Sequence, residues 1–418
     1  MQISKKLWNE ILKNKATTTT TGKMKETSLL QAASESSTSI STTRRSSRSS
    51  TSSLSYLQLL DADDRAEFDK IYNNINNKWM LKSGRYVEDL MYEKIKDFKY
   101  EHLGHSFVLD VTDDIWKDVF KKEEIEEIEE VADSNEFYNE LPKRLVELLQ
   151  KLNGKKTFQE IYLEFKDVKV DRYKDPELYW VKISVLEFID LFYCSNSIEV
   201  ETEQDLLDDV FGFVKKSRAI SRLLTKNASG SIASSEAKNK KRKVDGEALL
   251  RQKAGDAYDL VFKHFSSEIG CVEVGLNDKG PNGTKEMQEK GMKTPRMIKA
   301  FCCRMLEQYP TAEPNKIKTA GFIINGLYIS GLKMNILHGS VSLVSCSGRF
   351  KIPESIIETP SFLPPVLSLV YNCAQIMKCT GHYLETISSM VTLGKPKSRS
   401  YFPPCYIVDY KKKNKAIL

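Results

Sequence analysis

Two acidic residues in the second half of the chain have a spacing that could hold a metal ion. Asp259 opens a predicted strand, and Glu273 lies inside the next predicted strand among apolar residues, in CVEVG. Carboxylates on neighbouring strands can bind one divalent cation together, and Mg²⁺ usually takes only one or two ligands from protein. A cation held there would polarise a phosphodiester and activate a water molecule. The pair therefore predicts a magnesium site and phosphodiester chemistry.

A purely structural interpretation of the same pair stays open. Asp259 would then be a turn residue, and Glu273 a carboxylate at a strand edge or in a salt bridge. A glutamate buried without a partner is costly, which favours a function for Glu273.

Strands and helices alternate around these two residues. YDLVF and EIGCVEVGL predict adjacent strands, residues 284–308 predict a helix interrupted near Pro295, and KTAGFIING predicts the next strand. LYISGLKMNIL and SVSLVSC predict further strands, and residues 363–390 predict an apolar helix. The helical crossover favours parallel pairing of the strands around positions 271 and 322.

The stretch from about residue 203 to 337 resembles the PD-(D/E)xK nuclease-like fold, which has an Asp, then Glu-x-Lys on the following strand, then a helix and another strand. The resemblance implies that Asp259 and Glu273 are metal ligands. One acidic residue of the preceding helix would assist them, and the candidates are Glu203, Asp205 and Asp208.

Two features depart from that family's pattern. Gly275 stands where the family has its lysine, so the group that would orient or activate water must come from elsewhere. Lys279 and Lys285 follow the Glu273 strand closely, and we assign the catalytic role to Lys285. The family's first core strand is also not evident between residues 225 and 257.

A second resemblance extends over the chain beyond residue 75. The sequence is similar to a group of uncharacterised proteins abundant in early-diverging fungi, through KWMLKSGRYVEDLMYE, HSFVLDV, SIASSEAKN, EIGCVEVGLND and GTKEM. This resemblance implies no established activity.

Basic residues recur in the predicted helix 284–308. Lys285, Lys293 and Arg296 could line a groove that faces nucleic-acid phosphates, because positive charge supplies affinity that does not depend on base sequence. The alternative is an ordinary exposed helix face that covers a sheet.

A further basic run lies in the polar segment KNKKRKVDG. Lys240, Lys241, Arg242 and Lys243, followed by Val244, are similar to the monopartite nuclear import signal of the large T-antigen type. This similarity implies an import receptor as a partner and a nuclear location, with the cytoplasm as the alternative. The run could instead be a solvated loop or one that touches phosphates.

Net charge differs between the two halves of the chain. Residues 61–228 carry 26 Lys/Arg against 38 Asp/Glu, whereas residues 248–418 carry 23 against 13. The contrast favours a basic half that faces a polyanion, although the halves could also pair with each other or only balance charge for solubility.

Composition predicts an intracellular protein in several parts. The eight cysteines are scattered without a C-x-x-C pair, which suits a reducing compartment, and no apolar stretch approaches the ~18 residues that span a bilayer. The predicted parts are a disordered Ser/Thr-rich basic tail (1–55), an acidic mainly helical domain (56–225), a basic linker or exposed loop (226–250), a nuclease-like α/β domain (251–393) and a basic tail (394–418).

Together these patterns predict an α/β (α+β) fold, with an acidic helical N-terminal part and a C-terminal mixed sheet flanked by helices, as in restriction endonucleases. The favoured function is nucleic-acid binding by a nuclease-like domain, which uses Mg²⁺ if it cleaves. The alternative is a non-enzymatic interaction protein that binds through its acidic helical half and its disordered tail.

Overall fold

A computed structural model describes residues 59–132, 134–193, 195, 197–240, 252–281, 283–388 and 401–407. The predicted tail at residues 1–55 and three of the four residues of the predicted import signal, Lys241, Arg242 and Lys243, lie outside these ranges.

A mixed sheet is the centre of the fold. Its order is β1-β7-β6-β5-β4-β3-β2, and β8 pairs with β6. The pairs β4–β5 and β1–β7 are parallel and the others antiparallel. The strands are β1 (Val108–Leu109), β2 (Leu224–Gly230), β3 (Ala257–His264), β4 (Ser267–Gly275), β5 (Lys318–Asn325), β6 (Tyr328–Asn335), β7 (Ser342–Cys346) and β8 (Phe350–Lys351).

The helices precede, connect and cover these strands. Two π-helical segments, Leu206–Val210 and Glu289–Lys293, interrupt them. The helices are α1 (Ala62–Asn73), α2 (Val87–Ile95), α3 (Lys122–Ala132), α4 (Lys143–Gln150), α5 (Phe158–Lys166), α6 (Pro176–Asp190), α7 (Glu203–Asp205), α8 (Gly212–Lys216), α9 (Arg218–Ser221), α10 (Ile232–Asn239), α11 (Thr284–Gln288), α12 (Thr294–Gln308) and α13 (Thr359–Ser388). In the described part of the chain, no helix is long and apolar enough to cross a membrane.

Helices cover both faces of the central strands. On one face, a side chain at Gly321 would meet Thr294 and Ile298 of α12; on the other, one at Gly270 would meet Met377 of α13. Every residue of β4 is buried as a result, including the polar Ser267, Glu268 and Glu273, so its apolar residues do not alternate with exposed ones. The predicted parallel pairing is confirmed, since Val272 pairs with Phe322.

The N-terminal part is mainly helical, as predicted, and it also supplies strand β1. β1 pairs with β7, so Phe107 and Leu109 share an apolar core with α1, α2 and Leu343. The mixed α/β class predicted from the sequence is therefore confirmed.

Two stretches differ from their sequence interpretation. The segment 226–250, predicted to be a linker or an exposed loop, forms most of β2 and all of α10 as far as the structure describes it. β2 is an edge strand with the polar sequence LTKNASG, so it lacks the apolar pattern by which strands are recognised. Within the predicted tail 394–418, residues 401–407 pack on the folded body, where Tyr406 is 1% exposed.

Candidate functional site

Asp259 and Glu273 lie opposite each other on β3 and β4. The antiparallel register that pairs Leu260 with Val272 continues to these two residues, so both side chains are on the sheet face covered by α11 and α12. Asp259 Oδ2 accepts a hydrogen bond from the backbone N–H of Val274 at 2.7 Å. Burial raises the pKa of Asp259 in spite of this hydrogen bond, and the nearby Glu203 raises it further.

Glu273 is almost completely buried and has one strong partner. Its Oε2 forms an ion pair with Lys293 Nζ at 2.5 Å, whereas its buried Oε1 has no hydrogen-bond partner in the described structure. Burial raises the pKa of Glu273 to about 8, although Lys293 lowers it and Asp259 raises it. Burial lowers the pKa of Lys293, but Glu273, Glu289 and Asp259 together raise it by more, so the pKa is raised overall.

Glu289, at the start of the second π-helical segment, brings a third buried carboxylate to the same place. Burial raises its pKa to about 7, partly offset by Lys285 and Lys293 and reinforced by Asp259. Its Oε1 lies 3.9 Å from Lys285 Nζ, and its buried Oε2 has no hydrogen-bond partner in the described residues.

Lys285 links strand β4 to helix α7 through two contacts. Its Nζ donates to the carbonyl oxygen of Val274 at 2.8 Å and forms an ion pair with Glu203 at the start of α7. Lys285 was predicted to be catalytic, and Glu203, Asp205 or Asp208 was predicted to assist; of these acids, Glu203 contacts Lys285. Asp205 instead caps the start of α7, and Asp208 pairs with Lys215.

Gly275 stands where the nuclease-like family has a lysine. Because glycine has no side chain, Lys285 has room to reach the sheet at this point. A Cβ at residue 275 would stand 3.2 Å from both Cδ and Cε of Lys285 and would collide with Oδ1 of Asn325. The Lys285 side chain thus passes over the point from which a side chain at position 275 would project. A glycine is needed there because the two side chains could not both fit.

We name these six residues the acid–lysine cluster: Glu203, Asp259, Glu273, Lys285, Glu289 and Lys293. Lys293, predicted to line a phosphate-facing groove, instead forms an ion pair with Glu273. Glu289 was missed altogether. A signal for it existed, because Lys285, Glu289 and Lys293 follow one another at intervals of four residues, which places them on one side of a helix.

Other predicted site residues lie apart from the cluster or make different contacts. Arg296, predicted to contact phosphate, forms an ion pair with the buried Glu101 at 2.8 Å, so its guanidinium has an internal role. Lys240, predicted to belong to an import signal, follows α10 and pairs with Glu307. Lys279 is exposed, and Lys285 contacts Val274 and Glu203, whereas the lysine that pairs with Glu273 is Lys293.

The donor set of the cluster fits a hard cation held by few protein ligands. Within the described ranges there is no group of three or more His, Cys, Asp or Glu side chains arranged to hold a metal ion. Asp259 and Glu273 together offer two carboxylates, one with a buried oxygen that lacks a partner. Two carboxylates with water in the remaining positions is a coordination that suits Mg²⁺.

Comparisons with known proteins add no relative. No protein-family model matches this sequence, and neither the curated proteins nor the solved structures contain a match.

Proposed function

We propose that this protein is a cation-dependent phosphodiesterase that cleaves nucleic acid at the acid–lysine cluster. The observation that carries the proposal is Glu273 Oε1, a buried carboxylate oxygen with no hydrogen-bond partner in the described structure, on the face that Asp259 shares. A buried anion is costly unless a hydrogen bond or a cation compensates it. Mg²⁺ between these two carboxylates would supply that compensation and, when bound, would polarise the scissile phosphate.

The lysines of the cluster have separate roles in this proposal. Lys285 reaches the strand end beside Val274 and presents a positive charge to the substrate phosphate. Lys293 partly offsets the charge of Glu273 in the metal-free protein, because the two side chains are in direct contact. Asp259 and Glu273 would hold the cation, whose charge would add to this compensation.

Glu289 is the residue best matched to accept a proton from the attacking water. A general base works best when its pKa lies near the working pH, and the pKa of Glu289 is about 7. Its Oε2 makes no hydrogen bond within the described structure, so no protein donor has to be displaced before it acts.

The charge of the second half supports nucleic acid as the substrate. Residues 248–418 carry 23 Lys/Arg against 13 Asp/Glu, so this part of the chain attracts polyanions over a distance. Binding through such charge predicts an affinity for nucleic acid that falls as the salt concentration rises.

A second candidate function is nucleic-acid binding without cleavage. It is favoured by the ion pair between Lys293 and Glu273, because Lys293 occupies one of the two Glu273 carboxylate oxygens. The two candidates differ only in whether the cluster turns over substrate.

The test is a cleavage assay with the full chain on labelled single- and double-stranded DNA and RNA, with Mg²⁺, Mn²⁺ or EDTA. We expect cation-dependent cleavage, and a loss of about 10²-fold or more in rate for Glu273→Gln and Lys285→Ala. Lys279→Ala is the matched control, because Lys279 is an exposed lysine of the same connection.

The outcomes separate the candidates. Cleavage that survives EDTA, or that both cluster variants retain, contradicts an active site at the cluster. Salt-sensitive binding without turnover in the wild type supports the second candidate instead.

A further inference from the structure

Residues 401–407, which we call the C-terminal strap, tie three parts of the fold together. The Tyr406 backbone N–H donates to Ser106 Oγ at 2.9 Å, and the Tyr406 hydroxyl donates to the carbonyl oxygen of Asp64 in α1 at 2.8 Å. Ser340 Oγ donates to the carbonyl oxygen of Tyr401. The strap is therefore anchored at both of its ends.

The strap carries a cysteine that meets a cysteine of α12. Cys405 Sγ lies 3.4 Å from the carbonyl oxygen of Arg296, and Cys303 Sγ lies 3.9 Å from that of Pro403. Arg296 and Cys303 are about two turns apart on α12, and Pro403 and Cys405 are two residues apart in the strap, so these contacts place both thiols where the strap meets α12. Both are free thiols, from positions about a hundred residues apart in sequence, and Cys303 is partly exposed.

The two thiols differ in their pKa values, and positively charged side chains lie near them. The neighbouring Cys303 thiol lowers the pKa of Cys405, and the positive charges of Lys299 and Arg296 lower it further, against the effect of burial. The neighbouring Cys405 thiol, together with burial, raises the pKa of Cys303. Lys299 is fully buried, and its ammonium donates to the carbonyl oxygen of Ser106. Cys405 is therefore the thiol with more thiolate character.

We propose that Cys303 and Cys405 are a reversible redox pair, and that a peroxide closes them into a disulfide that fastens the strap to α12. The oxidant is hydrogen peroxide, a molecule small enough to reach a largely buried sulfur. Disulfides in reducing compartments are usually transient and serve catalysis or redox sensing.

The chemistry balances in two steps. The Cys405 thiolate attacks one peroxide oxygen, the O–O bond breaks, and the departing hydroxide takes up a proton to leave as water, so that Cys405 becomes a sulfenic acid. Cys303 sulfur then attacks the Cys405 sulfur, the S–O bond breaks, and a second water leaves with the Cys303 proton. Two thiols lose two electrons in total, and the peroxide is reduced to two waters.

The experiment treats the native full chain with hydrogen peroxide, blocks remaining thiols, and maps crosslinked peptides by mass spectrometry without reductant. We expect a Cys303–Cys405 crosslink that dithiothreitol removes and that is absent in Cys303→Ser and Cys405→Ser. Cys302→Ser and Cys379→Ser are matched controls, being the adjacent buried cysteine and an exposed one, and both should keep the crosslink.

A second measurement covers variants that fold poorly. Oxidised wild type should unfold at a higher temperature than the reduced protein, because a crosslink that closes a loop of about a hundred residues restricts the unfolded chain. A crosslink through Cys302, irreversible oxidation of Cys405 without a crosslink, or wild-type thiols that peroxide leaves unchanged would each overturn the proposal. None of these readouts depends on cleavage of nucleic acid.

Discussion

Glu273 illustrates at the scale of one residue how burial and function are linked. Its strand is apolar, its side chain is 2% exposed, and its pKa is about 8, so its charge is unfavourable in the metal-free protein near neutral pH. Lys293 compensates one oxygen only. A carboxylate in this position would gain most from a bound cation, which is the reason that we propose a metal site there.

The pH dependence of stability should report the titration of Glu273. Its pKa is about 8 in the folded protein against an ordinary value of 4.5, so the folded state holds the proton more tightly. Its contribution to stability is therefore complete below pH 4.5 and is lost as the pH rises through about 8. Between these values Glu273 lowers the free energy of unfolding by up to about 1.4 kcal/mol per pH unit. Glu273→Gln should remove this pH-dependent decrease.

The measurement is urea denaturation of the metal-free protein from pH 5 to pH 9. As the pH rises, the free energy of unfolding should fall faster for wild type than for Glu273→Gln. In the variant a smaller decrease with pH should remain, because Glu289 also has a raised pKa. Glu93→Gln changes an exposed glutamate of α2 and should follow wild type. Parallel curves for Glu273→Gln and wild type would mean that Glu273 does not hold its proton in the way we describe.

At the scale of elements, the two π-helical segments stand next to the cluster. Glu203 lies in α7, immediately before the segment Leu206–Val210, and the segment Glu289–Lys293 carries a cluster residue at each end. A π turn widens the helix locally and is found often at functional sites. Here one π turn supplies both Glu289 and Lys293 to the face of the sheet that holds Asp259.

The close passage of α11 over the end of β4 should make Gly275 intolerant of a side chain. Gly275→Ala places a methyl group against Asn325 Oδ1 and the Lys285 stem, and we expect a loss of about 2 kcal/mol in the free energy of unfolding. Displacement of Lys285 should also weaken cleavage. Gly291→Ala is the control on the π segment, because a methyl group there meets nothing within 4 Å and should be neutral or slightly stabilising.

Thermal or chemical denaturation compares the two glycine variants directly. Equal stability of Gly275→Ala and wild type would show that Lys285 is not held over position 275 in solution.

At the scale of the whole molecule, the acidic and basic halves share one sheet and several buried ion pairs. β1 from the first half pairs with β7 of the second, and the fully buried Lys333 of β6 pairs with Glu136 at 2.8 Å. Arg296 pairs in the same way with Glu101. The excess charge of each half is thus partly neutralised by the other half.

A fragment of residues 251–393, the nuclease-like domain predicted from the sequence, should therefore not fold by itself. It lacks β1 and β2, exposes both outer sides of the remaining sheet and leaves Lys333 without Glu136. The fragment should give no cooperative thermal transition by circular dichroism, whereas residues 59–418, which form one unit by their contacts, should give one. A cooperative transition of the shorter fragment would show that the shared sheet is dispensable.

Local patterns in the sequence were enough to predict the central part of the fold. The apolar residues of β3, β4 and β5 predicted the three strands. The helical crossover between β4 and β5 predicted that these two strands pair in parallel. The same pattern was enough to bring Asp259 and Glu273 to neighbouring strands. A side chain's place along a strand follows from local periodicity, so these inferences needed no distant contact.

The side chains that meet across long stretches of chain became evident only in the folded structure. β2 carries no apolar pattern because it lies at the sheet edge, and the strap residue Cys405 reaches α12 across about a hundred residues. The pairing of Lys293 with Glu273 and of Lys285 with Glu203 depends on sheet register and on a π turn. A charged residue has the same local signature whether it faces solvent or a buried partner, and only the packed chain distinguishes the two.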